Sequence, residues 1–170
     1  MRLRFITCHD PLSWLIRDRG GQMVKAIGFT PSHVEMVVSE GYLGAHDDGG
    51  VQVRPVGYDA ARLLLLHDGN PAELFVDVPL SAAGDRAAET WARNLIGTPY
   101  DWGAVLGFLV PFNMNEHKHL ICSAFMAATL KVGGAFKYPL ARAPHAIAPA
   151  DLLFLLSGIM PIPQLIEAAS

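Results

Sequence analysis

Residues 30–54 read TPSHVEMVVSEGYLGAHDDGGVQVR, and the fold turns on how this stretch is parsed. Val34–Val38 carries three valines, and β-branched side chains favour an extended chain. Ser39-Glu40-Gly41 is turn chemistry. Tyr42–His46 makes a second strand. Asp47-Asp48-Gly49-Gly50 is a second turn, followed by the alternating Val51-Gln52-Val53-Arg54. The stretch is thus expected to form a three-stranded antiparallel meander. Working outward, Leu74–Val78 adds a strand. Ser81 caps a helix whose Ala87, Ala88, Trp91, Ala92, Leu95 and Ile96 recur at helical spacing up to Gly97. Cys122 opens another helix, carrying Phe125, Met126, Thr129 and Leu130 and closed by Gly133-Gly134. Pro149-Ala150-Asp151 starts a last helix through Leu152–Leu156. A short proline-opened helix is expected over Pro11–Arg17, ended by Gly20-Gly21, and irregular structure over Tyr100–Asn115. Strands come mainly in the first half and helices in the second, the pattern of an α+β fold. No repeat or linker divides the chain, so residues 1–170 are read as one domain.

Composition narrows the function classes. The 170 residues are 51% hydrophobic and 17% charged, with a formal net charge of −3. Average proteins carry about 25% charged residues. So apolar a chain has enough hydrophobic surface to order itself, which excludes disorder. An acidic balance disfavours a nucleic-acid partner held by phosphate contacts. The mean hydropathy of +0.28 raises the question of a membrane. A span needs about 20 mostly apolar residues. Trp102–Asn115 is broken by Pro111, Leu152–Gln164 by Pro161 and Pro163, and Leu63–Leu66 is only four leucines. No transmembrane segment is expected. His9, Asp10 and Pro11 cut short the apolar run after Met1-Arg2-Leu3-Arg4, so no signal peptide is expected either, and the expected location is cytoplasmic. Cys8 and Cys122 do not make a disulfide framework and are read as free thiols.

Two residues stand out chemically. Cys122 sits at the first turn of a helix, where unpaired N–H groups and the helix dipole favour a thiolate and can hold an oxyanion. His33 stands at the start of a strand, where an imidazole can serve as the base such a thiol needs. Cys8 and His9 are adjacent, so on a strand they point to opposite faces, and Cys8 is read as structural. His117 and His119 form an H-x-H pair without a spaced set of further ligands. No metal and no cofactor are expected.

Several words around these residues occur in a telling order. They are Ser32-His33-Val34-Glu35-Met36-Val37, Gly44 through Pro55, Gly97-Thr98-Pro99-Tyr100-Asp101-Trp102, Cys122-Ser123-Ala124-Phe125-Met126 and Ala148-Pro149-Ala150-Asp151-Leu152. Together they resemble the circularly permuted papain-like amidases of the YaeF/YiiX group, within the NlpC-type superfamily, and more distantly lecithin:retinol acyltransferase. The resemblance spans roughly residues 30 to 156. It implies a permuted papain-like fold, an antiparallel sheet packed on helices with the nucleophile at a helix N-terminus. The permuted order places the histidine strand before the cysteine helix, and here Cys122 follows His33 by 89 residues. The resemblance carries the nucleophile onto Cys122 and the base onto His33. Tyr100, in a Tyr-Asp word, is implied to assist the oxyanion or substrate.

The third member departs from the pattern, because Gly44-Ala45 stands where relatives often carry Glu-Ala. Strand register offers substitutes. A two-residue turn at Glu40-Gly41 sets Asp48 opposite His33, with His46 diagonal on the same face. A three-residue loop sets Asp47 there, and a one-residue slip exchanges the whole set. Glu35 shares the face of His33 on its own strand. Asp47 and Asp48 also read as plain turn residues. His46 shares the parity of the family's acidic position, and the acyltransferase relatives use a second histidine on this strand, so His46 is the chosen partner. The expected function is a cysteine-dependent amide or peptide hydrolase acting on a cell-wall peptide or lipid-linked amide. The alternatives are a lipid acyl hydrolase or acyltransferase with Leu106–Phe112 toward the acyl chain, and an inactive binding or phage-type structural module. The expected partner is a small peptide, amide or lipid-linked substrate, with the oligomeric state open.

Overall fold

The computed structural model describes residues 1–10, 13, 14, 16, 29–65, 72–101, 121–136 and 147–159. They form an α+β fold with one five-stranded antiparallel sheet. The strands are β1 (Arg2–Ile6), β2 (His33–Val38), β3 (Gly41–His46), β4 (Gly50–Arg54) and β5 (Glu73–Asp77). Their order across the sheet is β4-β3-β2-β1-β5. The helices among the described residues are α1 (Ala82–Asn94), α2 (Cys122–Val132) and α3 (Pro149–Ser157). None of them is long and apolar enough to cross a membrane. The expected helix over Pro11–Arg17 and the stretch beyond Asp101 to Asn115 lie largely outside the described residues, as do His117 and His119.

The meander forms as expected, with a different register. Val38 pairs with Gly41, Val37 with Tyr42 and Met36 with Leu43, so the turn is Ser39-Glu40. Gly41 is the first residue of β3 rather than part of the turn. The reason lies on a third strand. At φ +141°, Gly41 packs so closely on β4 that an added Cβ would fall 2.0 Å from the Arg54 carbonyl oxygen. Only glycine tolerates that approach. Neither of the two expected registers therefore holds, and Asp47 and Asp48 do not stand opposite His33. Continuing the observed pairing along β2 and β3 sets Glu35 across from Gly44 and His33 across from His46.

β1 is a strand that the sequence reading did not anticipate. It lies inside the sheet, between β2 and β5. Side chains alternate across a sheet. One face carries Leu3, Phe5, Val34, Met36, Leu43, Ala45, Val51, Leu74 and Val76, all buried in a single apolar cluster with Phe125, Met126 and Leu130 of α2. The other face carries Arg4, Glu35 and His46, each buried and polar. Turns after β4 bring Tyr58 and Asp59 against these groups.

α2 is apolar nearly all round because it is surrounded. The sheet, α1 and α3 all pack on it. Trp91 of α1 stacks on Phe125 with ring centroids 6.2 Å apart. α1 starts as the sequence predicts, with the Ser81 hydroxyl accepting from the Gly84 N–H at 3.0 Å. It ends at Asn94, so Leu95 and Ile96 lie in the closing turn. At the start of α3, the Asp151 carboxylate accepts from the Ala148 N–H at 3.1 Å, satisfying one donor the helix cannot use.

Candidate active site

The two residues singled out for chemistry come together. His33 is the first residue of β2 and Cys122 the first of α2. The Ser32 N–H donates to the Ile6 carbonyl at 2.8 Å, and the Ser32 hydroxyl accepts from the Cys8 N–H at 3.1 Å. These bonds fix the start of β2 against the end of β1, and so the position of the His33 ring. At the other side, the Ser123 hydroxyl donates to the Ile147 carbonyl and ties the first turn of α2 to the segment leading into α3. The N-cap of α2 is Ile121, whose side chain cannot cap, so no side chain of its own occupies the helix end.

Cys122 lies close enough to His33 for its charge to act on the ring, and Glu35 faces the ring from the same strand. The His33 Nε2 lies 3.5 Å from Glu35 Oε2. Burial alone would lower the His33 pKa. Attraction to Cys122 and to the Glu35 carboxylate outweighs burial and raises it to about 10. Glu35 is fully buried, which would raise its pKa. The His33 and Arg4 cations override that and hold it below the usual carboxylate range.

Glu35 is anchored on both oxygens. Oε1 accepts from Arg4 Nη1 at 2.7 Å, and Oε2 accepts from the Tyr58 hydroxyl at 3.1 Å. Arg4 also donates to Asp59 at 3.0 and 3.3 Å and to Glu73 at 2.7 Å, and its guanidinium lies over the Tyr42 ring. One buried guanidinium thus serves three carboxylates. Taking one member from such a cluster strands buried charge, at a cost of about 3–5 kcal/mol.

His46, the partner chosen from sequence, is there too. Its ring centroid lies 5.1 Å from that of His33. Its Nδ1 is 3.3 Å from the Tyr58 hydroxyl, and its Nε2 is 4.0 Å from Glu35 Oε2. Burial and the nearby His33 charge push its pKa down to about 3, so it is neutral across the physiological range. Glu35 Oε2 lies 3.5 Å from His33 Nε2, whereas the His46 ring meets that of His33 at a tilt of 38°. Asp47 and Asp48 are engaged elsewhere, with Arg62 and Arg54 respectively.

Tyr100 is buried, and its phenol pKa is raised first by burial and then by the Cys122 charge. It lines a cleft with Cys8, Ser32, His33, His46 and Tyr58. Sequence reasoning missed Arg4 and Tyr58. Nothing in Tyr58's immediate neighbours marks it, and Arg4 lies on β1, a strand not anticipated from the sequence. The chain matches no protein-family model and no curated protein.

Proposed function

We propose that the protein is a cysteine hydrolase of amides or esters, built on the permuted papain-like plan that its sequence resembles. The observation that carries this reading is the chain of contacts from Cys122 through His33 to the anchored Glu35. In this reading the Cys122 thiolate attacks a carbonyl carbon, and the leaving amine or alcohol takes a proton from His33. His33 then removes a proton from water as the oxygen attacks the thioester, and returns it to the departing sulfur. Glu35, 3.5 Å from Nε2, orients the imidazole by its charge, leaving Nδ1 for the thiol. N–H groups of the first turn of α2, with Tyr100, face the oxyanion.

Support comes from the histidine strand preceding the cysteine helix and from α2 packing on an antiparallel sheet. The adjacent His33 and His46 rings favour a second substrate class on the same site, acyl lipids, because the acyltransferase relatives use two histidines. Hydrolysis assays comparing short peptides with phospholipids separate the two. The mechanism itself is tested by a thiol-directed amide or ester probe. The parent chain is expected to label at Cys122, and Cys122→Ala to lose the label. Equal labelling of both sinks the assignment.

A further inference from the structure

Two ring nitrogens in this site lack what buried nitrogens normally have. His33 Nε2 and His46 Nε2 are both buried without a hydrogen-bond partner. The His46 side chain is only 4% exposed, so water does not readily compensate. Both nitrogens are turned toward the same oxygen, Glu35 Oε2, at 3.5 and 4.0 Å.

The proton arrangement sharpens this. Tyr58 has one hydroxyl hydrogen and two neighbours, Glu35 Oε2 at 3.1 Å and His46 Nδ1 at 3.3 Å. The charged carboxylate is the stronger acceptor. Tyr58 then donates to Glu35 and accepts from the Nδ1–H of His46. That tautomer leaves His46 Nε2 with a bare lone pair directed at a carboxylate, two electron-rich groups face to face. A cation between them resolves the conflict.

We propose that His33, Glu35 and His46 form a binding site for one divalent cation of the zinc class, and that filling it switches off the Cys122 chemistry. Donor atoms of the three residues lie within 4.8 Å of one another. Zinc bonds of about 2.0–2.2 Å in a tetrahedron bring donors to about 3.3–3.5 Å apart, so shifts below about 1 Å close the set. Two imidazoles and one carboxylate suit zinc, cobalt or nickel and not the oxygen-seeking magnesium or calcium. Ligating histidines usually donate their other N–H to an oxygen, and Tyr58 supplies that oxygen to His46. Arg4 fixes the far oxygen of Glu35. The three carboxylates Glu35, Asp59 and Glu73 outnumber the Arg4 and His33 cations beside them, and His33 gives up its proton when it binds, which leaves negative charge to offset a metal ion.

The switch follows from imidazole chemistry and rests on the hydrolase reading above. With Nε2 bound to the metal, the other nitrogen of His33 carries the hydrogen. The ring then has no lone pair to take a proton from the thiol or from water, so acylation and deacylation both stop. The thiol is untouched, and a chelator reverses the block.

Calorimetric titration of the full chain with zinc or cobalt tests the site directly. One ion per chain is expected, with at least about tenfold weaker binding in His46→Gln. Magnesium and calcium are expected not to compete. X-ray absorption of the zinc-loaded parent needs no variant and is expected to show a nitrogen and oxygen shell. A sulfur at about 2.3 Å would mean capture by a cysteine and would overturn the proposal. So would binding unchanged in both His46→Gln and Glu35→Gln, or no binding to the parent. With the ester probe, saturating zinc is expected to cut Cys122 labelling at least tenfold, and chelation to restore it. Labelling undiminished at full occupancy overturns the switch. Zinc bound as described to a chain whose Cys122 never labels would keep the site and discard the hydrolase; a Cys122 that labels in a chain that binds no zinc would do the reverse.

Discussion

At the scale of single residues, the two cysteines show how environment assigns different roles to one side chain. Both are buried. Cys122 has a histidine as its partner, whereas Cys8 has none among its neighbours that would stabilise a thiolate enough to offset burial. Burial pushes the Cys8 thiol up to about 11, and the charge of Asp10 adds to the rise. The charged form of a thiol appears as pH climbs through its pKa, so at pH 7 to 8 Cys8 stays neutral and unreactive. Alkylation of Cys122→Ala is therefore expected to be slow at neutral pH and to accelerate toward pH 11. Mass-spectrometric mapping checks this, and rapid modification of Cys8 at pH 7 would contradict it. Cys122 and His33 were legible in the sequence because a thiol at a helix start and an imidazole at a strand start are local signals. Glu35 was visible only as one of several carboxylates. What distinguishes it, the grip of Arg4 and Tyr58, comes from residues 31 and 23 positions away.

At the scale of elements, register decides the site. The sequence reading placed the β2–β3 turn one residue late, because Glu40-Gly41 has good turn chemistry. The constraint that moved it, the Arg54 carbonyl against Gly41, sits on β4 and has no local signature. β1 was hidden for a similar reason. Arg2-Leu3-Arg4-Phe5-Ile6 carries two charges in five residues, and only carboxylates from β2, β5 and the turns after β4 let Arg4 be buried. Gly44 is the element-scale test. A Cβ there would lie 3.1 Å from the Glu35 Cβ and 3.3 Å from His46 Nε2, so Glu35 and His46 must both give way. Overpacking of this kind costs about 1–3 kcal/mol. Gly44→Ala is expected to fold, to lose about that much stability to urea, and to lose about tenfold or more in kcat/KM on an ester substrate through misplacement of Glu35. An unchanged rate would show that Glu35 does not position His33.

At the scale of the whole molecule, the sheet has an apolar face that holds the fold and a polar face that holds the site. The α+β class and the starts of all three described helices were legible, since caps and helical spacing are short-range features. The division of labour between faces was not, because it depends on which strand β2 pairs with on each side. The apolar half makes a clean prediction. Phe125 is fully buried between the sheet and Trp91, and its removal is expected to cost about 3–5 kcal/mol. Phe154 is 43% exposed on α3, and Phe154→Ala is expected to stay within about 0.5 kcal/mol. Urea denaturation of the two variants checks the contrast, and similar losses would mean that α3 packs differently.

The separation of His33 from Cys122 along the chain has a consequence for biosynthesis. Chains leave the ribosome from the N-terminus at about 5–20 residues per second. All the strands, and with them Arg4, Glu35, His33 and His46, emerge before α2 does. On the proposed reading, the residues of the polar cluster are synthesised several seconds before the nucleophile, and the thiol is the last component of the site to be made. The proposed hydrolase therefore gains its reactivity only once α2 has been made and packed on the sheet.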